Sequence, residues 1–299
     1  MKKHLMILSF CFALIMLFGS CNSATSDDAH ESEKVDNIKD NIAYEAYTAY
    51  IDVAGMEGAS GKIEASKKLL YLSEADIPTP TIKAISVEVL GKRLNADFSQ
   101  SKVWSVFTPA YVYKTSEGDK ITVDSSGKVI SFTSASSSSN VIENVDQGKA
   151  LIPEESLAKA TEYFKKLLGD ELLSQYSAEL PDTSMSVVRI RFRRNNSDFG
   201  SYSITDKIII KLDEEGNLLG YDLYNVGAYD NKNIPADFND EKIKEIINAS
   251  LIDNKSDIEV SDQRNLVILS DGRLACNTCF RLIDGEAVGE WASVLIPLE

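Results

Sequence analysis

Two spacings of apolar residues divide the chain. Residues 35–53 and 63–72 carry apolar side chains three or four positions apart, which predicts two helices. Residues 81–94 fit a helix and a strand equally well, and we favour a helix because Pro80 suits a helix start. The three stretches together predict an N-terminal helical segment over residues 34–97.

After residue 98 an alternation of apolar and polar residues predominates, which is typical of strands. Two helices interrupt it, one over 153–168 that ends at Gly169 and a shorter one that begins near Asp240. The predicted fold class is α+β, with the N-terminal helical segment followed by repeated helix-plus-antiparallel-sheet modules. Strands are predicted at 111–114, 121–124, 129–132, 185–193, 203–212, 217–224, 265–269, 273–282 and 291–298.

A short sequence pattern recurs in this part of the chain. Residues 120–132 (KITVDSSGKVISF) align with residues 210–221 (IKLDEEGNLLGY), and a shorter third copy surrounds Asp271-Gly272. An Asp that starts a turn and a Gly that takes positive φ indicate a β-hairpin. The matched residues are Asp124 with Asp213, Gly127 with Gly216, and Phe132 with Tyr221. The repeat predicts modules at 98–140, which ends in a Ser-rich linker, 141–236 and 237–299.

A helix followed by a strand that ends in Val-Asp-x-x-Gly-x-Val/Ile-x-x-aromatic resembles the PepSY-like modules of bacterial envelope proteins. It is also similar to the β-lactamase-inhibitor-like and cystatin-like folds. Residues 120–132, 207–221 and 266–275 carry the resemblance. It implies a helix packed on an antiparallel sheet and a non-catalytic role, in which the protein binds or inhibits proteins or regulates the maturation of envelope partners. It implies no site residue, because the matching Asp and Gly form turns.

The N-terminus predicts export. Lys2 and Lys3 precede an apolar run over residues 5–18, which is shorter than a membrane span and typical of a signal peptide. The sequence LFGSC, which ends at Cys21, resembles the lipobox of bacterial lipoproteins, although Phe18 stands where an aliphatic residue is usual. An ordinary secretory signal that contains a cysteine is the alternative.

The lipobox resemblance implies that lipid, palmitate included, is attached to Cys21, which becomes the first residue of the mature chain. Residues 1–20 are then the signal peptide, and residues 21–33 are a polar, acidic tether. The chain is expected to be anchored to a membrane of the bacterial cell envelope on the extracytoplasmic side.

Charge and histidine positions narrow the function. The 299 residues contain 31 Lys+Arg and 46 Asp+Glu, a net charge of −15, and loss of Lys2 and Lys3 with the signal gives 29 − 46 = −17. Such a charge argues against nonspecific binding to nucleic acid. His4 and His30 both precede the predicted fold, which argues against Ser-His-Asp, Cys-His and zinc hydrolases. No metal or cofactor is expected.

Cys276 and Cys279 form a C-x-x-C spacing within a predicted strand, where residues three apart point to opposite faces. Three interpretations remain: two small reduced core residues, a local disulfide, and active thiol chemistry. Cys11 belongs to the signal peptide.

Arg189, Arg191 and Arg193 alternate with apolar residues, so one face of their strand is cationic. The stripe either pairs with acids on neighbouring strands or recognises an anion on a carboxylated glycan or an acidic partner.

These observations predict a lipid-anchored extracytoplasmic binding or regulatory protein without catalytic activity. Its expected partners are the membrane, through the lipid on Cys21, and an envelope protein or wall glycan. Nucleic acid is not expected as a partner. The alternatives are a carboxylate-based hydrolase of envelope or extracellular polysaccharide and a thiol-active factor that uses the C-x-x-C pair.

Overall fold

The computed structural model describes residues 44–52, 63, 68–69, 72–105, 108–139, 153–182, 187–252, 257–284 and 287–299. They belong to one compact unit that spans Asn37–Glu299. The predicted signal peptide, Cys21 and the tether lie outside the described residues. What is described is mainly β-sheet with a few helices, an α+β arrangement.

One sheet has nine strands, all antiparallel, in the order β2-β3-β4-β5-β6-β11-β10-β8-β7. The strands are β2 (Ala84–Val89), β3 (Lys92–Ser105), β4 (Thr108–Thr115), β5 (Lys120–Asp124), β6 (Val129–Thr133), β7 (Tyr176–Asp182), β8 (Val188–Arg194), β10 (Lys207–Leu212) and β11 (Leu218–Tyr224).

A second sheet has six strands in the order β1-β15-β13-β12-β9, with β14 beside β13. After β8 the chain leaves the nine-stranded sheet. It contributes Ser203–Ile204 (β9) to the second sheet, parallel to Asp257–Ile268 (β12), and then returns to the first sheet as β10. The strands are β1 (Tyr50–Ile51), β9 (Ser203–Ile204), β12 (Asp257–Ile268), β13 (Leu274–Asp284), β14 (Ala287–Val288) and β15 (Ala292–Pro297).

The described α-helices are α1 (Ser136–Ser139), α2 (Pro153–Leu168), α3 (Asp170–Leu173) and α4 (Asp240–Ser250), and short 3-10 turns lie at Glu74–Asp76 and Ser197–Phe199. Helix α2 has acids in its first turn and lysines in its last, which suits the helix dipole. It ends where Gly169 takes φ 88°. Helix α4 begins at an Asn239 cap, whose side chain accepts from the Lys242 amide at 3.0 Å. No helix among these residues has the length and apolar character of a membrane span.

Tight turns of the same kind connect the two strands of several hairpins. The Oδ1 atom of Asp124 accepts from the amides of Ser126 and Lys128, and the Oδ1 atom of Asp213 accepts from the amides of Glu215 and Asn217. The glycines at the fourth position of the two turns have φ of 86° and 83°. The hairpins predicted over residues 120–132 and 210–221 are therefore confirmed. The turn over residues 269–273 has the same backbone hydrogen bonds, with Leu269 in the position of the Asp.

The two equivalent hairpins pair with each other through β6 and β11. Phe132 lies opposite Tyr221, so the residues that the repeat matches are register partners. Beside this pair, β6 and β11 approach so closely that a Cβ at Gly220 would collide with the carbonyl oxygen of Phe132. The hairpins of the first two predicted modules thus share one sheet. The module boundaries themselves stay a prediction.

Each sheet has its own core. On the nine-stranded sheet, Phe164 of α2 packs against Phe192 and Tyr176, with ring centroids 5.0 and 5.4 Å away. On the six-stranded sheet, α4 contributes Ile243, Ile246 and Ile247 to a cluster with Leu266 and Phe280. Burial of these side chains is the main stabilising contribution.

The prediction of an N-terminal helical segment is wrong over the described residues. Residues 44–52 form a turn and β1, while Ile63 and Lys68 lie in isolated β-bridges. Residues 81–94 contain a hairpin whose turn is Leu90-Gly91, with β3 beyond it. The cause is long-range pairing: β1 pairs with β15 and β3 pairs with β4, and local spacing does not show such partners.

Candidate functional site

The face of the nine-stranded sheet that points away from α2 is rich in cations. Ile190, Ile208 and Ile210 point into the core, so their neighbours in sequence point to the other side. We call this other side the cationic face; its basic residues on the strands are Arg93, Lys102, Lys114, Lys120, Lys207, Lys211, Arg189, Arg191 and Arg193.

Strand register aligns part of this face into a row across the sheet. Lys114 on β4 lies opposite Lys120 on β5, which lies opposite Thr133 on β6. The row continues through Gly220 on β11 to Lys211 on β10 and Arg189 on β8. Directly opposite residues share a face. We call Lys114, Lys120, Thr133, Gly220, Lys211 and Arg189 the cationic row.

The cationic row contains two like-charge pairs, Lys114 with Lys120 and Lys211 with Arg189. Like charges directly opposite one another destabilise a sheet. Lys211 is neutralised in part by Asp222, whose Oδ2 lies 2.7 Å from its Nζ. The three other cations are exposed, and none of them takes part in the ion pairs that the described side chains form. Among the described side chains, the pair of Lys211 with Asp222 is thus the only ion pair that the cations of the row form.

Asp222 lies at the centre of the cationic face and is 8% exposed. Its Oδ1 accepts a hydrogen bond of 2.7 Å from Ser131 Oγ. Burial lowers the pKa of Lys102, an effect that Asp222 opposes and Lys211 reinforces. Residues from β3, β6, β10 and β11 thus meet electrostatically around one buried carboxylate.

An aromatic pair holds two of the lysines. Trp104 and Tyr224 stack with centroids 4.8 Å apart, and the Trp104 Nε1 donates to the Leu223 carbonyl at 3.2 Å. The Lys102 Nζ lies 4.9 Å from the Trp104 ring centroid, and the Lys207 Nζ lies 4.8 Å from that of Tyr224. Burial, followed by the charges of Arg191 and Arg193, lowers the pKa of Lys207.

The predicted arginine stripe is divided between the two interpretations. Arg191 and Arg193 both pair with Glu179 of β7, with 2.8 Å between Arg191 Nη1 and Glu179 Oε2. Burial would raise the pKa of Glu179, but hydrogen bonds from Arg193 and Arg191 outweigh it and hold that pKa below its ordinary value. Arg189 belongs to the cationic row instead. Cross-strand pairing thus accounts for two arginines, and Arg189 takes part in none of the ion pairs between the described side chains.

Sequence reasoning identified Arg189 but missed its companions in the cationic row. The pairing of Lys114 with Lys120 could have been found, because the tight turn between β4 and β5 fixes the hairpin register. The place of Lys211 in the row could not have been predicted from the sequence. It depends on the pairing of β6 with β11, which no local signal indicates.

Cys276 and Cys279 lie three residues apart on β13, whose register with β15 is regular. They point to opposite faces of the strand, and no disulfide joins them. Cys276 is fully buried, and burial raises the pKa of its thiol to about 12. This geometry favours the interpretation of two reduced residues over the local disulfide and over active thiol chemistry.

Two carboxylates meet at Arg194, beside an open groove of about 570 Å³. The Arg194 Nη1 lies 2.6 Å from Asp230 Oδ1 and 3.3 Å from Asp206 Oδ2, and Tyr176 donates to Asp206 at 2.6 Å. Asp206 is 2% exposed, so the hydrolase alternative has no accessible carboxylate pair here. Among the residues described, no cluster of three or more His, Cys, Asp and Glu could hold a metal ion.

Comparison with known proteins gives no family assignment. No protein-family model and no curated protein matches the chain. Among solved structures, the chain is similar to the Bacillus megaterium YpeB C-terminal domain, with a TM-score of 0.32 and 10% sequence identity. The alignment covers 68% of this chain and 89% of that one. The likeness is too low to carry a functional assignment, so the function must be inferred from the residues themselves.

Proposed function

We propose that this protein is a non-catalytic binding protein of the bacterial envelope, anchored through lipid on Cys21, whose cationic face binds an anionic ligand. The cationic row is the observation that carries the proposal. It places two like-charge pairs, three of whose four cations are exposed, on one face of a protein with a net charge of −15.

The physical support is an unfavourable arrangement that a ligand would relieve. Opposed like charges cost stability, and an anion bound between them changes repulsion into attraction. Partly buried lysines strengthen the field, because nearby low-dielectric protein screens charge less than water does. An anionic ligand would therefore be concentrated at this face, while the acidic remainder of the molecule repels it.

Titration with fluorescently labelled polyacrylate, a simple carboxylated polymer, tests the proposal. We expect Lys120→Gln combined with Arg189→Gln to weaken binding about tenfold, which corresponds to ~1.4 kcal/mol, and to reduce its dependence on salt. The matched control combines Lys159→Gln with Lys244→Gln, which removes two exposed helix charges instead. Equal binding by the two variants would overturn the proposal.

The anchor is tested separately in cells. We expect the full chain to incorporate labelled palmitate and to fractionate with membranes, and Cys21→Ala to do neither. Labelling that persists in the Cys21→Ala variant would contradict attachment at this residue.

A further inference from the structure

We propose that the ligand is a linear anionic polysaccharide that lies across the strands, along the cationic row. This inference rests on the proposed function and specifies it. The row runs over six strands, and neighbouring strands are ~4.8 Å apart. Five such steps separate Lys114 from Arg189, about 24 Å. A compact anion would reach one like-charge pair, whereas a linear polymer reaches both.

The centre of the row can receive a chain. Between the two cationic pairs lie Thr133 and Gly220, a small side chain and none. Thr133 is half-buried and Gly220 is buried, whereas Lys114, Lys120 and Arg189 are exposed on either side of them. Gly220 is also the position where a Cβ would collide with the neighbouring backbone, so no side chain can project there without displacing β6.

An acidic residue limits the row at one end, and the edge of the sheet limits it at the other. Asp97 on β3 lies opposite Lys114 and is exposed, while β8 is followed only by the edge strand β7. A polyanion that extends past Lys114 meets a carboxylate instead of a further cation. Affinity should therefore increase with ligand length and stop increasing once the ligand spans the row.

The apolar residues of this face, such as Val112 and Ile209, are buried or half-buried, which favours a polysaccharide over a protein partner. Protein interfaces depend on aromatic and aliphatic residues that a partner can bury. On the described part of this face, Trp104 is only 9% exposed and lies between Lys102 and Tyr224. The large hydrophobic residues that are exposed elsewhere, Tyr47, Ile82 and Ile252, do not lie on its strands. The carboxylates Asp222 and Glu179 of this face are already paired with cations. The exposed cations Lys114, Lys120 and Arg189 suit a hydrated, hydroxyl-bearing polyanion.

The test uses oligogalacturonates of two, four and six residues, with dextran sulfate as the sulfated counterpart. For the anion that binds, carboxylated or sulfated, we expect at least a tenfold gain in affinity from the shortest to the longest chain. Lys114→Gln with Lys120→Gln should reduce the longest ligand to the affinity of the shortest, and Arg189→Gln should act in the same direction. The Lys159→Gln, Lys244→Gln control should leave the length dependence unchanged, and all variants are first compared by urea unfolding.

Three results would overturn the inference: affinity independent of length, tighter binding of hexaglutamate than of the longest sugar, or tighter binding of vesicles that contain anionic lipid. Polyacrylate distinguishes this failure from failure of the proposed function. If polyacrylate binding depends on the row but sugar length has no effect, only the linear placement fails. If polyacrylate binding ignores the row, the proposed function fails as well.

Discussion

The two faces of the nine-stranded sheet are made by the same strands but have opposite chemistry. On β8, Ile190 is 0% exposed and Phe192 is 1% exposed, both packed in the core that α2 covers. Arg189 and Arg191, which precede Ile190 and Phe192 in the sequence, lie on the opposite face. The core face is explained by burial of apolar area, which stabilises any sheet. The cationic row has no such explanation, because its arrangement costs stability.

A second comparison lies within β8 itself. Arg194 ends the strand with its side chain 11% exposed and both neighbouring carboxylates within 3.3 Å. Arg189 is exposed and faces Lys211. An arginine at one end of β8 therefore stabilises the fold through ion pairs, whereas an arginine at the other end lowers stability through repulsion. Substitutions at the two positions test this difference.

The largest effect is expected from Arg194→Gln. It leaves Asp206, whose side chain is fully buried, without its charge partner. Breaking a buried pair in this way costs about 3–5 kcal/mol. Urea unfolding should show this loss, while Arg189→Gln on the same strand should leave the midpoint nearly unchanged. Equal losses in the two variants would mean that the contrast between the arginines is wrong.

Gly220→Ala should destabilise the protein by about 1–3 kcal/mol, the usual cost of overpacking. The added Cβ meets the rigid carbonyl of Phe132 where β6 and β11 pair. Gly289→Ala is a milder comparison, because its Cβ would stay 3.2 Å from the Leu282 carbonyl oxygen. Thermal unfolding should rank the two variants in this order, and the reverse order would contradict a close approach at β6 and β11.

Asp206 should make stability depend on pH. Burial raises its pKa above the ordinary value, in spite of hydrogen bonds from Tyr176 and Arg194. Its contribution is therefore complete below about pH 4, the unfolded value, and is lost as pH rises through the raised pKa. The free energy of unfolding of the natural protein minus that of Asp206→Asn should fall with increasing pH. A difference that rises instead would show a lowered pKa.

Lys120→Gln should leave the free energy of unfolding unchanged or raise it slightly, although most substitutions lower it. It removes repulsion with Lys114, so stability should stay constant or rise by up to ~0.5 kcal/mol. Lys159→Gln removes an exposed pair with Glu162 at 3.7 Å and should lower stability by about 0.2–0.5 kcal/mol. Precise chemical unfolding compares them. A clear loss in Lys120→Gln would show that this lysine stabilises the fold, which weakens the case for a ligand.

The same contrast of faces on β13 predicts different reactivities for its two thiols. Cys279 is partly exposed, whereas Cys276 is buried with its pKa raised to about 12. At pH 8 we expect the fast phase of labelling by a soluble thiol reagent to be mostly lost in Cys279→Ala. In Cys276→Ala the amplitude of that phase should change little. Equal losses, or a disulfide found by mass spectrometry, would restore the redox alternatives.

Local chemistry made part of the fold predictable from the sequence. The Asp and Gly of the β5–β6 and β10–β11 turns specify hairpins by side-chain hydrogen bonds and positive φ, and both hairpins are present. Helix α2 follows from its apolar spacing and from Gly169. Within the predicted strand 203–212, however, the chain divides into β9 and β10 in different sheets, and β7 was not predicted at all. Neither feature has a local signal.

The candidate site was less predictable than the fold, for a related reason. A strand pattern shows which residues share a face, and this was sufficient for the arginines of β8. It does not show which strands become neighbours. The cationic row depends on six strands from two hairpin repeats and on the register between Gly220 and Thr133. Pairing between distant segments is decided by the whole packed sheet, not by either segment alone.

The pairing of β1 with β15 fixes the order in which the molecule can be completed. Tyr50 and Ile51 find their partners at Leu295 and Val294, next to the C-terminal end of the chain. The edge of the six-stranded sheet at β1 therefore cannot form until these two segments, which are far apart in sequence, have met. Contacts this distant in sequence form slowly. The pairing of β1 with β15 is therefore expected to be among the last contacts of this sheet to form during folding.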